Sequence, residues 1–119
     1  MTELQINSQV IGGIPIVTLG GELDSYSAQR VSQVLDTLIN VHAPSVLIDI
    51  VDLEYIDSAG LGVLVSALKR VGDRAGTLAL VGPNEDVRRI LRITGLDRLF
   101  TIYGNEAEAL SEMGRTLPA

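Results

Sequence analysis

Residues 45–71, SVLIDIVDLEYIDSAGLGVLVSALKRV, carry the change of period that decides the fold. Val46 to Val51 is a nearly continuous apolar run dominated by β-branched residues, the pattern of a strand buried on both faces. After Ser58 the apolar residues fall at helical spacing, with Leu61, Leu64, Val65, Leu68 and Val71 on one stripe that ends near Gly72. A buried strand that feeds a helix is the unit of a parallel sheet. Asp57-Ser58 stands at the junction, and its chemistry is the main functional question.

The flanking sequence repeats that unit. Leu4 and Ile6 alternate with polar residues, Val10 and Ile11 follow, and Gly12-Gly13 turns the chain into Ile14, Ile16 and Val17, which reads as an antiparallel hairpin. After Gly20-Gly21, the cap-rich ELDSYS leads into a first helix through Ala28, Val31, Val34, Leu35 and Leu38, broken off by Pro44. Thr77–Val81 is a strand. Gly82-Pro83-Asn84 opens a third helix with Val87, Ile90 and Leu91 inward, closed by Gly95, and Leu99–Tyr103 is a short strand. Asn105 with Glu108 three residues on makes a variant capping box for a fourth helix through Ala109, Leu110 and Met113, with Gly114–Ala119 expected to fray. The order β-β-α-β-α-β-α-β-α predicts an α/β fold: one domain over 1–119 with its core at about 4–113, a mixed and mostly parallel sheet, an antiparallel N-terminal edge strand, and helices chiefly on one face.

Composition narrows the function classes. The 119 residues, 46% apolar, suit one globular domain, and the four aromatics Tyr26, Tyr55, Phe100 and Tyr103 leave the core to aliphatic side chains. With no cysteine, disulfides, thiolate catalysis and cysteine-based metal sites are excluded. No apolar run reaches membrane-spanning length, and MTELQINSQ lacks the blocks of a signal peptide, so a cytoplasmic protein away from the membrane is expected. The net charge is −6, and residues 1–57 hold eight acidic side chains against Arg30 alone. That imbalance suits an acidic patch and argues against direct nucleic-acid binding, which needs positive charge.

Four readings compete for Ser58. It can be an N-cap, its oxygen accepting a backbone N–H. A hydrolase nucleophile needs a base, and the single histidine, His42, enters the same strand from its other end, on the order of 15 Å away at about 3.3 Å per residue. Asp57-Ser58-Ala59 is also no Gly-x-Ser-x-Gly elbow. Gly60-Leu61-Gly62 lacks the third glycine of a dinucleotide fingerprint, and no Gly-Lys-Ser/Thr is present. Asp49, Asp52, Glu54 and Asp57 alternate along an extended chain, so Asp49 and Asp52 do not converge on a metal and read as a solvated rim. A modified serine fits more of the features, because Gly60 and Gly62 open the first turn to a large partner and to phosphate oxygens. Tyr55 and Ile56, just before the turn, are expected to anchor it against the second helix.

DLEYIDSAGLGVLVSALKRV resembles the signature of the bacterial anti-sigma-factor antagonists of the sulfate-transporter and antagonist (STAS) family, in which Asp-Ser followed by Gly-Leu-Gly opens a helix. VTLGGELDSYSAQRV is similar to that family's Gly-Glu-Leu-Asp landmark, and VRRILRITGLDRLFTIY to its usual ending, so the resemblance runs from about Leu4 to Leu110. It implies a STAS-like domain without catalytic activity, cofactor or metal. It implies a partner switch: the unphosphorylated protein binds an anti-sigma factor that is also a serine kinase and frees a sigma factor, the kinase phosphorylates Ser58, and a serine phosphatase restores binding. The implied partner-binding residues are Asp24, Ser27, Asp57, Ser58, Ala59, Gly60, Leu61 and Gly62. Ala59 departs from the serine or threonine often found after the acceptor. The alternative is a non-switching scaffold or an accessory subunit of a lipid or transport system, with Arg88, Arg89 and Arg92 on the outer side of the third helix as its contact patch.

Overall fold

The computed structural model describes residues 2–41 and 45–116; His42 and Pro44 lie outside them. The chain opens as the expected hairpin, β1 (Gln5–Ile11) antiparallel to β2 (Ile14–Leu23), with Ile11 opposite Ile14. Gly12 and Gly13, the two connecting residues, take φ of 59° and 81°, the two left-handed conformations of a type I′ turn.

β2 organises the sheet. On its far side β3 (Val46–Asp49) pairs in parallel with Ile16–Thr18, and β4 (Leu53–Ile56) pairs in parallel with Gly21–Leu23. β5 (Leu78–Val81) adds to β3 and β6 (Thr101–Tyr103) to β5, giving the order β1-β2-β3-β5-β6. The antiparallel N-terminal edge and the parallel remainder match expectation. The expected strand through Val51 does not: it stops at Asp49, and the chain turns at Val51-Asp52 and resumes as β4. The register of β2 shifts between Gly21 and Glu22 to meet this second segment. Gly21 sits at φ 86°, and a Cβ there would lie 2.4 Å from the Glu3 carbonyl oxygen, so the shift requires glycine.

Three helices cover one face: α1 (Ala28–Val41), α2 (Ser58–Asp73) and α3 (Glu85–Ile93). Val31, Leu35, Ile39, Leu64, Ala67, Val71, Val87 and Leu91 pack there on Val17, Leu19, Ile48 and Leu80. α4 (Glu106–Thr116) takes the opposite face, where Ala109 and Met113 cover Ile14, Ile16, Leu47, Ala79 and Val81. It continues past Gly114 to Thr116, where fraying was expected from Gly114 on; residues 117–119 of that expectation lie outside the described residues. A 3₁₀ turn at Leu96–Arg98, absent from the sequence reading, links α3 to β6. The buried stripe of α2 is Gly60, Leu64, Ala67 and Val71, while Val65, assigned to that stripe from sequence, faces out. Arg70 pairs with Asp36, and Arg74 donates to the Ile39 carbonyl, tying α2 to α1.

Candidate functional site

The C-terminal ends of β2 and β4 lie side by side, with Leu23 opposite Ile56, and both sequence landmarks emerge there. The Asp57 N–H donates to the Leu23 carbonyl at 3.2 Å. Asp57 has extended backbone, φ −107° and ψ −172°, and its Oδ1 accepts the Gly60 N–H at 3.0 Å. Asp57 is therefore the N-cap of α2, and the reading of Ser58 as the cap is corrected. Ser58 is the first helical residue, and its exposed hydroxyl makes no hydrogen bond to a described residue.

Gly60 is the hinge between the landmarks. A Cβ at this position would stand 2.7 Å from Leu23 Cγ, 2.8 Å from Ile56 Cγ1 and 2.9 Å from the Leu23 carbonyl oxygen. Only a bare Cα lets the first turn of α2 sit on the end of β2. Gly62 is the converse: a Cβ there would meet nothing within 4 Å. Ser58, Gly62, Val65, Ser66 and Lys69 share one exposed face by helical spacing. That face is low in relief near its N-terminal end because Gly62 has no side chain.

The segment after β2 is held by its own polar groups. Asp24 Oδ1 accepts the N–H of Tyr26 at 3.0 Å and of Ser27 at 3.2 Å, and also the Ser27 hydroxyl at 3.2 Å. Ser27 Oγ in turn accepts the Asp24 N–H at 3.0 Å and lies 3.2 Å from the Glu22 carbonyl. Of the residues singled out from sequence, Asp24, Asp57, Ser58, Ala59 and Gly62 reach the surface. Ser27 and Gly60 are buried, and Leu61 packs half-buried against the core, so these three shape the site from beneath. Ile56 anchors the turn as expected, being buried against the Gly60 position. Tyr55 does not: as its neighbour in an extended strand it points to the other side, and it is 47% exposed. Sequence reasoning passed over Tyr26, whose ring is 93% exposed on the Asp24 loop. An aromatic residue inside a polar turn was the available signal.

Charged groups away from this cluster sort differently. Asp52, Glu54 and the arginines Arg88, Arg89 and Arg92 are exposed, as expected. Asp49 is not on a solvated rim: it is buried at the end of β3, where its Oδ1 accepts the Val51 N–H at 3.0 Å. A hydrogen bond with Asp49, reinforced by burial and by repulsion between the two carboxylates, pushes Glu106 up to about 7. Among the described residues no three histidine or carboxylate side chains gather in a way that could hold a metal ion. No helix among them is long and apolar enough to cross a membrane.

The fold is shared with known proteins. Residues 5–109 match the STAS domain. An anti-sigma F factor antagonist of Paenibacillus polymyxa is 33% identical, over 92% of this chain and 95% of its own. An anti-sigma-B factor antagonist of Listeria monocytogenes is 34% identical, over 77% of this chain and 81% of its own. Among solved structures, an anti-sigma factor antagonist from Mycobacterium paratuberculosis superposes with a TM-score of 0.86 at 25% identity, covering 94% of this chain and 95% of that one.

Proposed function

The chain belongs to the STAS domain family, and from that membership and the geometry around Ser58 we propose that it is an anti-sigma-factor antagonist working as a phosphorylation-controlled partner switch. In the unphosphorylated form it binds an anti-sigma factor that is also a serine kinase and so frees a sigma factor. The kinase transfers phosphate to Ser58 and the complex separates; a serine phosphatase resets it. The cycle runs in the cytoplasm, with no part for direct nucleic-acid or membrane binding, and the protein acts as substrate and ligand, not as enzyme.

The observation that carries this reading is the division of labour at the start of α2. Asp57 caps the helix, which leaves the Ser58 hydroxyl exposed, with no hydrogen bond to a described residue, on a face opened by Gly62. A phosphate at the first helical position gains about 0.3–2 kcal/mol from the helix end. Repulsion from a carboxylate about 6 Å away costs roughly 1–3 kcal/mol per unit charge pair for effective dielectrics of about 80 to 20. With nearly two charges the repulsion exceeds that gain by a few kcal/mol at most, which is less than the ~5–15 kcal/mol stability of a typical domain, so the fold tolerates the phosphate while a docked surface must accommodate nearly two new negative charges. Asp24, Asp57, Ala59 and Gly62 form the surface the partner touches, with Ser27, Gly60 and Leu61 holding its shape.

Incubation with the cognate kinase and ATP tests this. One phosphate is expected on Ser58 by mass spectrometry, Ser58→Ala should abolish it and still bind, and Ser58→Asp should weaken binding in part, since a carboxylate supplies one charge where phosphate supplies nearly two. Phosphate found only on Ser25, Ser27 or Ser66, or undiminished binding by Ser58→Asp at matched salt, would overturn the switch at its central residue.

A further inference from the structure

The two edges of the sheet are unlike. β6 is three residues long, a short and therefore blunt edge, whereas β1 extends over seven residues, Gln5–Ile11, with no strand among the described residues on its outer side. Edge strands are ordinarily protected by charge, proline or a bulge. β1 has none of these: its register with β2 is regular from Gln5↔Gly20 to Ile11↔Ile14, and residues 4–21 hold no charged side chain in a chain of net charge −6. In a two-residue hairpin the residues flanking the turn form a hydrogen-bonded pair, and such pairs alternate along the ladder. Gln5, Asn7, Gln9 and Ile11 therefore bond to β2. Ile6, Ser8 and Val10 direct their N–H and C=O groups outward.

We propose that β1 is a self-association edge, on which a second copy of this chain adds its own β1 antiparallel about a two-fold axis at Ser8. The strand is self-complementary in that register. Ser8 meets Ser8 of the second copy, and Ile6 meets its Val10, so the outward-directed residues form the hydrogen-bonded pairs. Ile6, Ser8 and Val10 also share the helix-covered face, where a groove of about 370 Å³ between β1 and α1, lined by Ser8, Arg30, Val34 and Leu38 among others, has room for the incoming side chains. On the other face Asn7 meets Gln9, an amide pair. Main-chain bonding supplies the affinity, as when any strand is added to a sheet, and the isologous contact closes at two copies. Two molecules of like net charge meet along strands that carry no charged side chain, with Arg30 in the groove beside them, which favours a second copy over a positively charged foreign strand. The contact buries less than the ~1,200 Å² of stable complexes, so the dimer is weak and concentration-dependent. Ser58 stays free, because α2 starts beyond the end of β4, on the other side of β2.

Sedimentation equilibrium from low to high micromolar protein tests this, with amide NMR shifts followed over the same range. The weight-average mass should climb toward twice the monomer value, with the concentration-dependent shifts on residues 5–11. Ser8→Pro removes an outward N–H that β2 does not use, so the monomer should keep its circular dichroism while the dissociation constant rises at least about tenfold. Ser8→Glu places two carboxylates directly opposite across the axis but near Arg30 within each monomer, and should likewise abolish the mass increase. A monomeric mass at every concentration overturns the proposal, as does association undiminished in both variants. Shifts on β1 that arise only when the kinase partner is added assign the edge to that partner and also overturn it.

Discussion

Gly60 and Gly62, two residues apart in one helix, should respond to alanine in opposite directions. Replacing a helical glycine by alanine gains about 1 kcal/mol of backbone propensity at either position. At Gly62 nothing opposes that gain, because the new methyl group meets no atom within 4 Å. At Gly60 the methyl group arrives 2.7–2.9 Å from Leu23 Cγ, Ile56 Cγ1 and the Leu23 carbonyl oxygen, all buried or on backbone. Overpacking of this kind costs about 1–3 kcal/mol, with the upper half of the range expected because a strand carbonyl cannot swing aside. The net is a loss of about 1–2 kcal/mol for Gly60→Ala against a gain of up to about 1 for Gly62→Ala, a separation of roughly 2–3 kcal/mol. Urea unfolding followed by circular dichroism resolves it. Binding adds a second axis: Gly62→Ala should be the more stable protein yet bind the proposed kinase partner less well, because its methyl group would stand on the proposed docking face. Equal stabilities for the two variants would refute the close packing of α2 on β2, and full binding by Gly62→Ala would remove that residue from the interface.

Two further outcomes follow from polar contacts. Asp24→Ala removes the acceptor used by Tyr26, by the Ser27 N–H and by the Ser27 hydroxyl, and should cost about 1–2 kcal/mol in urea unfolding; Asp24→Asn, which keeps that oxygen, should recover most of the stability, so any binding loss it retains reports the charge. Glu106 is raised from 4.5 to about 7, so between these values the folded protein holds a proton that the unfolded chain releases. Its contribution is complete below about pH 4.5 and is lost as pH rises through 7. Glu106→Gln, neutral at every pH, should flatten that decline and exceed the wild type at pH 8, and parallel stability–pH curves for the two proteins would exclude the carboxyl pair as the cause.

Where the sequence pattern was local, it located the elements. The run at Val46–Val51, the stripe through Ala28, Val31 and Leu35, and Gly82-Pro83-Asn84 located a strand and two helices, although the strand ends at Asp49. β4 was missed because its signal is not local. Leu53 and Ile56 are buried and Glu54 and Tyr55 exposed, a spacing that is neither alternation nor a run. Those residues become a strand only because β2 changes register at Gly21 and presents Glu22 and Leu23 to them. Val65 went wrong for a related reason: the core of α2 runs through Gly60 and Ala67, small residues that a search for large apolar side chains passes over. Asp49 read as a rim carboxylate because nothing near it in sequence announces α4, whose Glu106 arrives from residues far along the chain.

The site shows where adjacent letters stop being informative and tertiary phase takes over. Asp57 and Ser58 are nearly equal as N-caps by propensity, and the sequence reading weighed only Ser58. The choice is made at one carbonyl group: the Asp57 N–H bonds to the Leu23 oxygen, and a Cβ at residue 60 would stand 2.9 Å from the same atom, so only glycine lets the first turn come this close. Together they fix the helix phase so that residue 57 is extended and residue 58 helical. The consequence is chemical. Had Ser58 been the cap, its oxygen would accept a backbone N–H and its lone pairs would be committed to the fold, and a phosphate there would cost the helix its cap. With the carboxylate of Asp57 in that role, the fold and the proposed modification draw on different side chains. The order Asp-Ser, followed by a glycine two residues on, would let the Ser58 hydroxyl take the proposed phosphate while α2 keeps its start.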